Sequence, residues 1–177
     1  MVVHFEVKHI FKYPIELVTY THLTKYPTDK EKNVLSVKTV KRIIKDDGIE
    51  YWNRVACCSN IVPSVLRKLK EFEQDYIYIE EECWLNKNTH EMNVRSRNLT
   101  WEKYGKLKEE SLFKKFPENP KWTHFHQRGS IDLGGIGHIG WLMECFAEKF
   151  FRQSIQKSLR IMEELLCERM NGMQTGG

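Results

Sequence analysis

The 177-residue chain has no stretch approaching the ~18 consecutive apolar residues of a membrane span. From Met1 to Lys12 charged and apolar residues alternate, where a secretory signal would be continuously apolar. A soluble protein whose contacts with membranes are peripheral is therefore expected. Cysteine is scarce and oddly placed: there are five, Cys57 and Cys58 are adjacent, and no Cys-x-x-Cys occurs, which argues against a disulfide framework or a zinc site. Gly-x-Ser-x-Gly, His-Glu-x-x-His and a phosphate loop are all missing, so nothing nominates a nucleophile or a catalytic metal, and no enzyme is expected. The formal charge of +4 is spread along the chain, which permits affinity for anionic surfaces but excludes a dedicated nucleic-acid binder. What the chain does have is rings. Five Trp, seven Tyr and nine Phe within a 41% hydrophobic composition supply the core of one domain.

Period-two alternation marks a first strand, with Val3, Phe5, Val7, His9 and Phe11 on one face. A short helix follows from Pro14 toward Lys25, ended by Pro27, which disfavours helical geometry in the residue before it. Asp46-Asp47-Gly48 joins strands at about 34–45 and 49–58 into a hairpin. Strand patterns resume from Tyr76 to Trp84 and from Met92 to Thr100, with two more around 106–116 and 121–133. Short connections favour an antiparallel arrangement. The last segment, His138 to Met170, reads as one helix that must lie lengthwise on the sheet, and 171–177 reads as a disordered tail. The fold class is thus α+β: a bent seven-stranded antiparallel sheet packed on a long C-terminal helix, with 1–170 as the domain.

Gly135-x-Gly137-x-x-Gly140 matches the dinucleotide fingerprint but fails on topology, because no parallel strand follows the helix. With Gly134 these glycines read instead as a strand-to-helix hinge. His124 and His126 would share one strand face without a third ligand nearby, and Glu80-Glu81-Glu82 reads as a solvated strand edge. On a helical wheel centred on Lys149, Leu142, Phe146, Gln153, Gln156 and Arg160 fall within the same broad stripe. If that stripe faces inward, Lys149 must snorkel, find a carboxylate or meet an anionic ligand. Between the hairpin and Tyr76, Ile61, Val62, Val65, Leu66 and Leu69 form a helical apolar stripe beside Arg67, Lys68 and Lys70, which suits either a packed turn or a flap dipping into an anionic bilayer.

Several short strings, in order, resemble the PRELI family: Tyr13-Pro14, Lys25-Tyr26-Pro27, Asn33-Val34-Leu35-Ser36-Val37, Asn60-Ile61-Val62-Pro63, Arg97-Asn98-Leu99-Thr100, Asn119-Pro120-x-Trp122-Thr123 and Gln127-Arg128-Gly129. The resemblance covers 1–170. It implies a fold similar to START and phosphatidylinositol-transfer proteins, with a lid loop over a lipid cavity. It also implies transfer of phosphatidic acid or phosphatidylserine across the mitochondrial intermembrane space, without a cleaved presequence or a cofactor. The implied partners are an anionic phospholipid, a transient membrane surface and a small twin Cys-x9-Cys protein as heterodimer. A module that keeps the fold without transferring lipid stands as the alternative. Carried onto this sequence, the resemblance places phosphate-binding cations at Lys25, Lys149 and, displaced by one position, Lys157. Its lid corresponds to about 61–71, and Leu142, Phe146 and Phe150 would line the cavity. Where a phosphatidic-acid carrier has a strand lysine this chain has Cys58, for which Arg54 is the candidate substitute.

Overall fold

The computed structural model describes residues 2–134 and 137–176, His138 by its backbone alone. Among the described residues seven strands form one antiparallel sheet, β1 (Val2–Phe11), β2 (Val34–Ile44), β3 (Ile49–Ser59), β4 (Tyr76–Asn86), β5 (Met92–Asn98), β6 (Lys106–Phe116) and β7 (Asn119–Asp132). Their order is β1-β7-β6-β5-β4-β3-β2, so each strand pairs with its sequence neighbour except where β1 closes against β7. Helix α1 (Ile15–Thr24) links β1 to β2, the short α2 (Ser64–Arg67) lies in the β3–β4 connection, and α3 (Gly140–Thr175) ends the fold. Gly48 takes the positive φ, +83°, that the β2–β3 turn requires. Register shifts at Val34/Ser36 and Thr39/Lys41 mark bulges in β2, the device that bends a strand.

The alternation read from the sequence decides which side chains share the concave face. Phe11, Cys83, Met92, Val94, Phe113 and Phe125 point inward at one end, where Ile15 and Val18 of α1 and Met162 and Leu166 of α3 cover them. At the other end Val62, Leu66, Phe72, Leu133, Met143, Ala147 and Phe151 form a second apolar cluster. Helix α3 thus spans both clusters, at ~54 Å for its length.

Two expectations are corrected here. The helix runs through Thr175, so 171–176 is not a disordered tail; no proline interrupts it, and Thr175 Oγ1 donates back to the Asn171 carbonyl at 3.2 Å. The face of α3 turned inward is also not the one containing Lys149. Met143, Ala147, Phe151, Ile161, Met162 and Leu166 are buried, whereas Lys149, Gln153, Gln156 and Arg160 are exposed and Leu142 is 38% exposed. The buried set lies about half a turn of the wheel from Lys149. Burial of the larger apolar set, with Phe151 stacked on Phe5 at 4.6 Å, outweighs the smaller stripe that carries a lysine.

Candidate functional site

Between the sheet and the N-terminal half of α3 lies an apolar cavity of about 140 Å³. Its walls include Ile79, Leu107 and Ile131 of the sheet and Met143, Phe146 and Phe150 of α3, so two of the three helix residues named from sequence line it and Leu142 does not. The connection 60–75 closes the top. Val62, Leu66 and Phe72 turn inward, with Phe72 packed edge-on against Trp101 and Tyr104, while Val65 is 60% exposed and Lys68, Leu69 and Lys70 face out. Ile61 is half-buried at the cavity wall, and Arg67 lies 3.8 Å from Asp75. Buried Asn60 fastens the two feet of this lid, donating through Nδ2 to the Phe72 and Gln74 carbonyls at 2.8 and 2.6 Å and accepting from Val62 N at 2.9 Å. In the sequence Asn60 stands out only as the start of the Asn60-Ile61-Val62-Pro63 string; a lone Asn before an apolar run carries no periodic signal.

One step down the same concave face the chemistry changes. The strand registers place Arg54, Glu81, Ser96, Glu109, Gly129 and Phe5 in one transverse row across β3, β4, β5, β6, β7 and β1. Their cavity-lining neighbours are Ile79, Asn98, Leu107 and Ile131, each two residues away on its strand, a rise of ~7 Å. The polar row is therefore the floor beneath an apolar chamber. Glu81 was read as part of a solvated strand edge, and the structure corrects this. The alternation that turns Glu80 and Glu82 to the outer face, where they bond Arg97 and Tyr51, drives the middle carboxylate to the inner one.

Arg54 Nε donates to Glu81 Oε1 at 3.1 Å and Nη2 bonds the same carboxylate, while Nη1 donates to the Leu23 carbonyl at 2.7 Å. Burial pushes the Glu81 carboxyl up, but the His22 and Arg54 contacts more than reverse this and hold it well below the usual carboxylate range. His22 Nε2 lies 3.3 Å from Glu81 without an aligned hydrogen bond; burial and the Lys25 charge lower the imidazole's pKa, and the Glu81 charge opposes them. Lys25 follows α1 and its ammonium sits 5.0 Å from the Tyr26 ring centroid. Burial lowers its pKa; the Glu81 and Glu109 charges oppose the shift, but among the described residues it makes no ion pair within 4 Å. Lys25 is half-buried.

The other expected phosphate ligands do not converge on Lys25. Lys149 is exposed on the outer face of α3. Lys157 is half-buried and paired with Glu31 at 2.9 Å. Arg54 is inward but already engaged by Glu81, so it does not supply a free substitute for the lysine absent at Cys58. Of the hinge glycines, Gly137 has φ +61° and precedes the first turn of α3, Gly140 begins that helix, Gly134 follows β7, and Gly135 lies outside the described residues.

His22, Glu81 and Cys83 bring three ligand atoms within 4.8 Å of one another. A cation is disfavoured there, because Arg54 occupies the carboxylate and burial keeps the Cys83 thiol protonated. His124 and His126 face the opposite side of the sheet, where His126 meets Glu6 at 2.6 Å. Two wider hollows on that outer face, around Arg95, Glu110 and Arg128, are open and lined by charges of alternating sign, as a solvated face should be.

The PRELI-like family model matches residues 16–172. A UPS-like protein of Schizosaccharomyces pombe is 28% identical over 168 residues, covering 94% of this chain and 90% of its own length. Protein real-time of Aedes aegypti is 26% identical over 161 residues; these cover 90% of this chain but a quarter of that protein, 25%. Among solved structures, the Zhui aromatase/cyclase of Streptomyces sp. R1128 superposes with a TM-score of 0.61 at 11% identity, covering 96% of each chain. Ara h 8.0201 gives 0.59 at 9% identity, covering 95% of this chain and 99% of its own. At such identities these two bear on the fold alone, and they share the sheet-and-helix architecture described above.

Proposed function

The chain belongs to the PRELI-like family, which makes it a lipid-binding and lipid-transfer domain, and from that premise we propose that it carries one anionic phospholipid, phosphatidic acid first, between mitochondrial membranes. One observation carries the proposal: an apolar chamber adjoins a polar row of the same sheet face, and the Lys25 amine sits among the charges of that row without a directly bonded carboxylate among the described residues. A phosphate entering there would satisfy the ammonium by charge-assisted hydrogen bonds, and the chamber would cover the acyl chains. Of the cations expected to hold the phosphate, Lys25 keeps the role and Lys149, exposed on the outer face of α3, is left out of it.

At about 140 Å³ the chamber falls short of the ~300–1,000 Å³ typical of small-molecule sites, so two acyl chains need the lid to lift. Its outward side supplies the contact for that step: Val65 and Leu69 for the headgroup boundary, Lys68 and Lys70 for anionic lipid at roughly 1 kcal/mol each. No covalent step is required, and none is proposed. Residence in the intermembrane space and pairing with a small twin Cys-x9-Cys protein are part of the same proposal.

The test is timed transfer of fluorescent phosphatidic acid from donor vesicles to phosphatidylcholine acceptors. A lost charge-assisted bond of roughly 1.5–3 kcal/mol corresponds to about ten- to a hundred-fold weaker capture by Lys25→Ala. Lys149→Ala should transfer like the wild type. Equal transfer by wild type and Lys25→Ala would remove the assignment, and a wild type that binds but never delivers would favour a lipid-sensing module.

A further inference from the structure

We propose that Glu109 is a headgroup contact that works as a carboxylic acid, so that an anionic phospholipid enters the cavity together with one proton; this rests on the phospholipid reading above. Glu109 sits between Ser96 of β5 and Gly129 of β7, and Glu81 lies just beyond Ser96. Gly129 offers no side chain, and the Phe5 ring fills the place one would take: a Cβ there would come within 2.3 Å of Phe5 Cζ. Glu109 therefore has an apolar ring on one side and a hydroxymethyl group on the other. The nearby guanidinium, Arg54, is bonded to Glu81.

The other charged groups around the floor are accounted for element by element. From α1 and the residue after it come His22, whose pKa burial and Lys25 lower against the Glu81 charge, and Lys25 itself. From β3 and β4 come the Arg54–Glu81 pair and the protonated Cys83 thiol. β1 contributes His9, engaged by Glu163 of α3 at 2.8 Å, and Lys157 of α3 is held by Glu31. β7 contributes Gln127, and β5 contributes Ser96, neither ionisable. Burial and the Glu81 charge push the Glu109 carboxyl up to about 7, with Lys25 pulling the other way and no hydrogen bond contributing. Together with His22, whose Nε2 makes no aligned hydrogen bond, Glu109 and Lys25 are thus the ionisable groups of the floor not already claimed by a bonded partner among the described residues.

A phosphate brought to Lys25 adds a further negative charge beside Glu109, which favours its neutral form still more. The neutral O–H then donates to a phosphate oxygen as a short charge-assisted bond, whereas the ionised form repels it. The proton comes from solvent as the lipid enters and returns to solvent as it leaves, so atoms and charge balance without any other reactant. A site that must be protonated loses about tenfold in affinity for each pH unit above the midpoint of that ionisation.

Calorimetry with the full chain and dihexanoyl phosphatidic acid tests this at pH about 6 and about 8, in two buffers of different ionisation heat, on wild type and Glu109→Gln. The amide keeps a donor but cannot ionise, and the lipid's own titration is common to both proteins. At the lower pH the two should bind alike; at the higher, the variant should bind about tenfold more tightly, and the wild type should take up close to one proton more per lipid. Parallel pH profiles, or a folded Glu109→Gln that binds at neither pH, would overturn the role of Glu109 alone. A wild type that binds at neither pH would overturn the phospholipid reading itself. Carboxyl carbon NMR of the wild type gives a check independent of any variant: the Glu109 midpoint should rise when the lipid is added, and an unchanged or lower midpoint contradicts the proposal.

Discussion

The two apolar clusters under the sheet are built from the same residue types but packed to different standards. In the cluster that α1 covers, Phe11, Ile15, Val18, Cys83, Met92 and Leu166 are sealed to within 1% exposure. In the cluster beneath the lid no member is so sealed, and Val62, Met143 and Phe151 stand at 6–7% because they border open space. On the proposed reading, one end holds the fold and the other parts and re-forms around a lipid. The polar floor lies between them, where a headgroup would be held while the chains lie in the looser end.

Substitution breaks or sharpens this contrast in a definite order. Leu166→Ala or Phe11→Ala should cost about 3–5 kcal/mol in denaturant unfolding, the cost of a cavity in a sealed core. Phe146→Ala or Phe150→Ala, at walls already facing empty space, should cost under ~1.5 kcal/mol while changing lipid transfer. A similar loss at both ends would mean that the lid cluster is as solid as the other. Arg54→Leu should cost about 3 kcal/mol or more, since it leaves the Glu81 carboxylate buried without its partner.

Glu109→Gln acts in the opposite direction. Its carboxyl midpoint is raised from 4.5 to about 7 in the folded chain, so between these values the folded state binds the extra proton. Stability accordingly falls as pH climbs through that window and stays lower above it. The glutamine variant escapes the fall and should be more stable than wild type by about 3 kcal/mol at pH about 8, with little difference at pH about 4. Val65→Asp, at an exposed lid position, should leave stability within ~0.5 kcal/mol and weaken association with anionic vesicles.

Much of this was legible in the sequence because strand alternation and turn chemistry are local. The Asp46-Asp47-Gly48 hairpin, the strand from Val3 to Phe11 and the proline-free final helix all follow from neighbouring residues alone. Helix orientation is not local in that sense. A wheel anchored on Lys149 finds a plausible stripe, but burial follows the alternative that seats Met143, Ala147 and Phe151 on the sheet. The polar floor was hidden for another reason. Arg54, Glu81, Ser96 and Glu109 lie on four different strands, and register alone aligns them. A partial signal existed in Glu80-Glu81-Glu82, since three charged residues in a row on a strand must send the middle one to the other face.

Occupancy of the hollow by a phospholipid held through Lys25 is the decisive property. Native mass spectrometry of the wild type and Lys25→Ala, each loaded from the same phosphatidic-acid vesicles, measures this directly. One bound lipid per wild-type chain and largely lipid-free Lys25→Ala is the predicted result. A lipid-free wild type, or a variant loaded to the same extent, would contradict it.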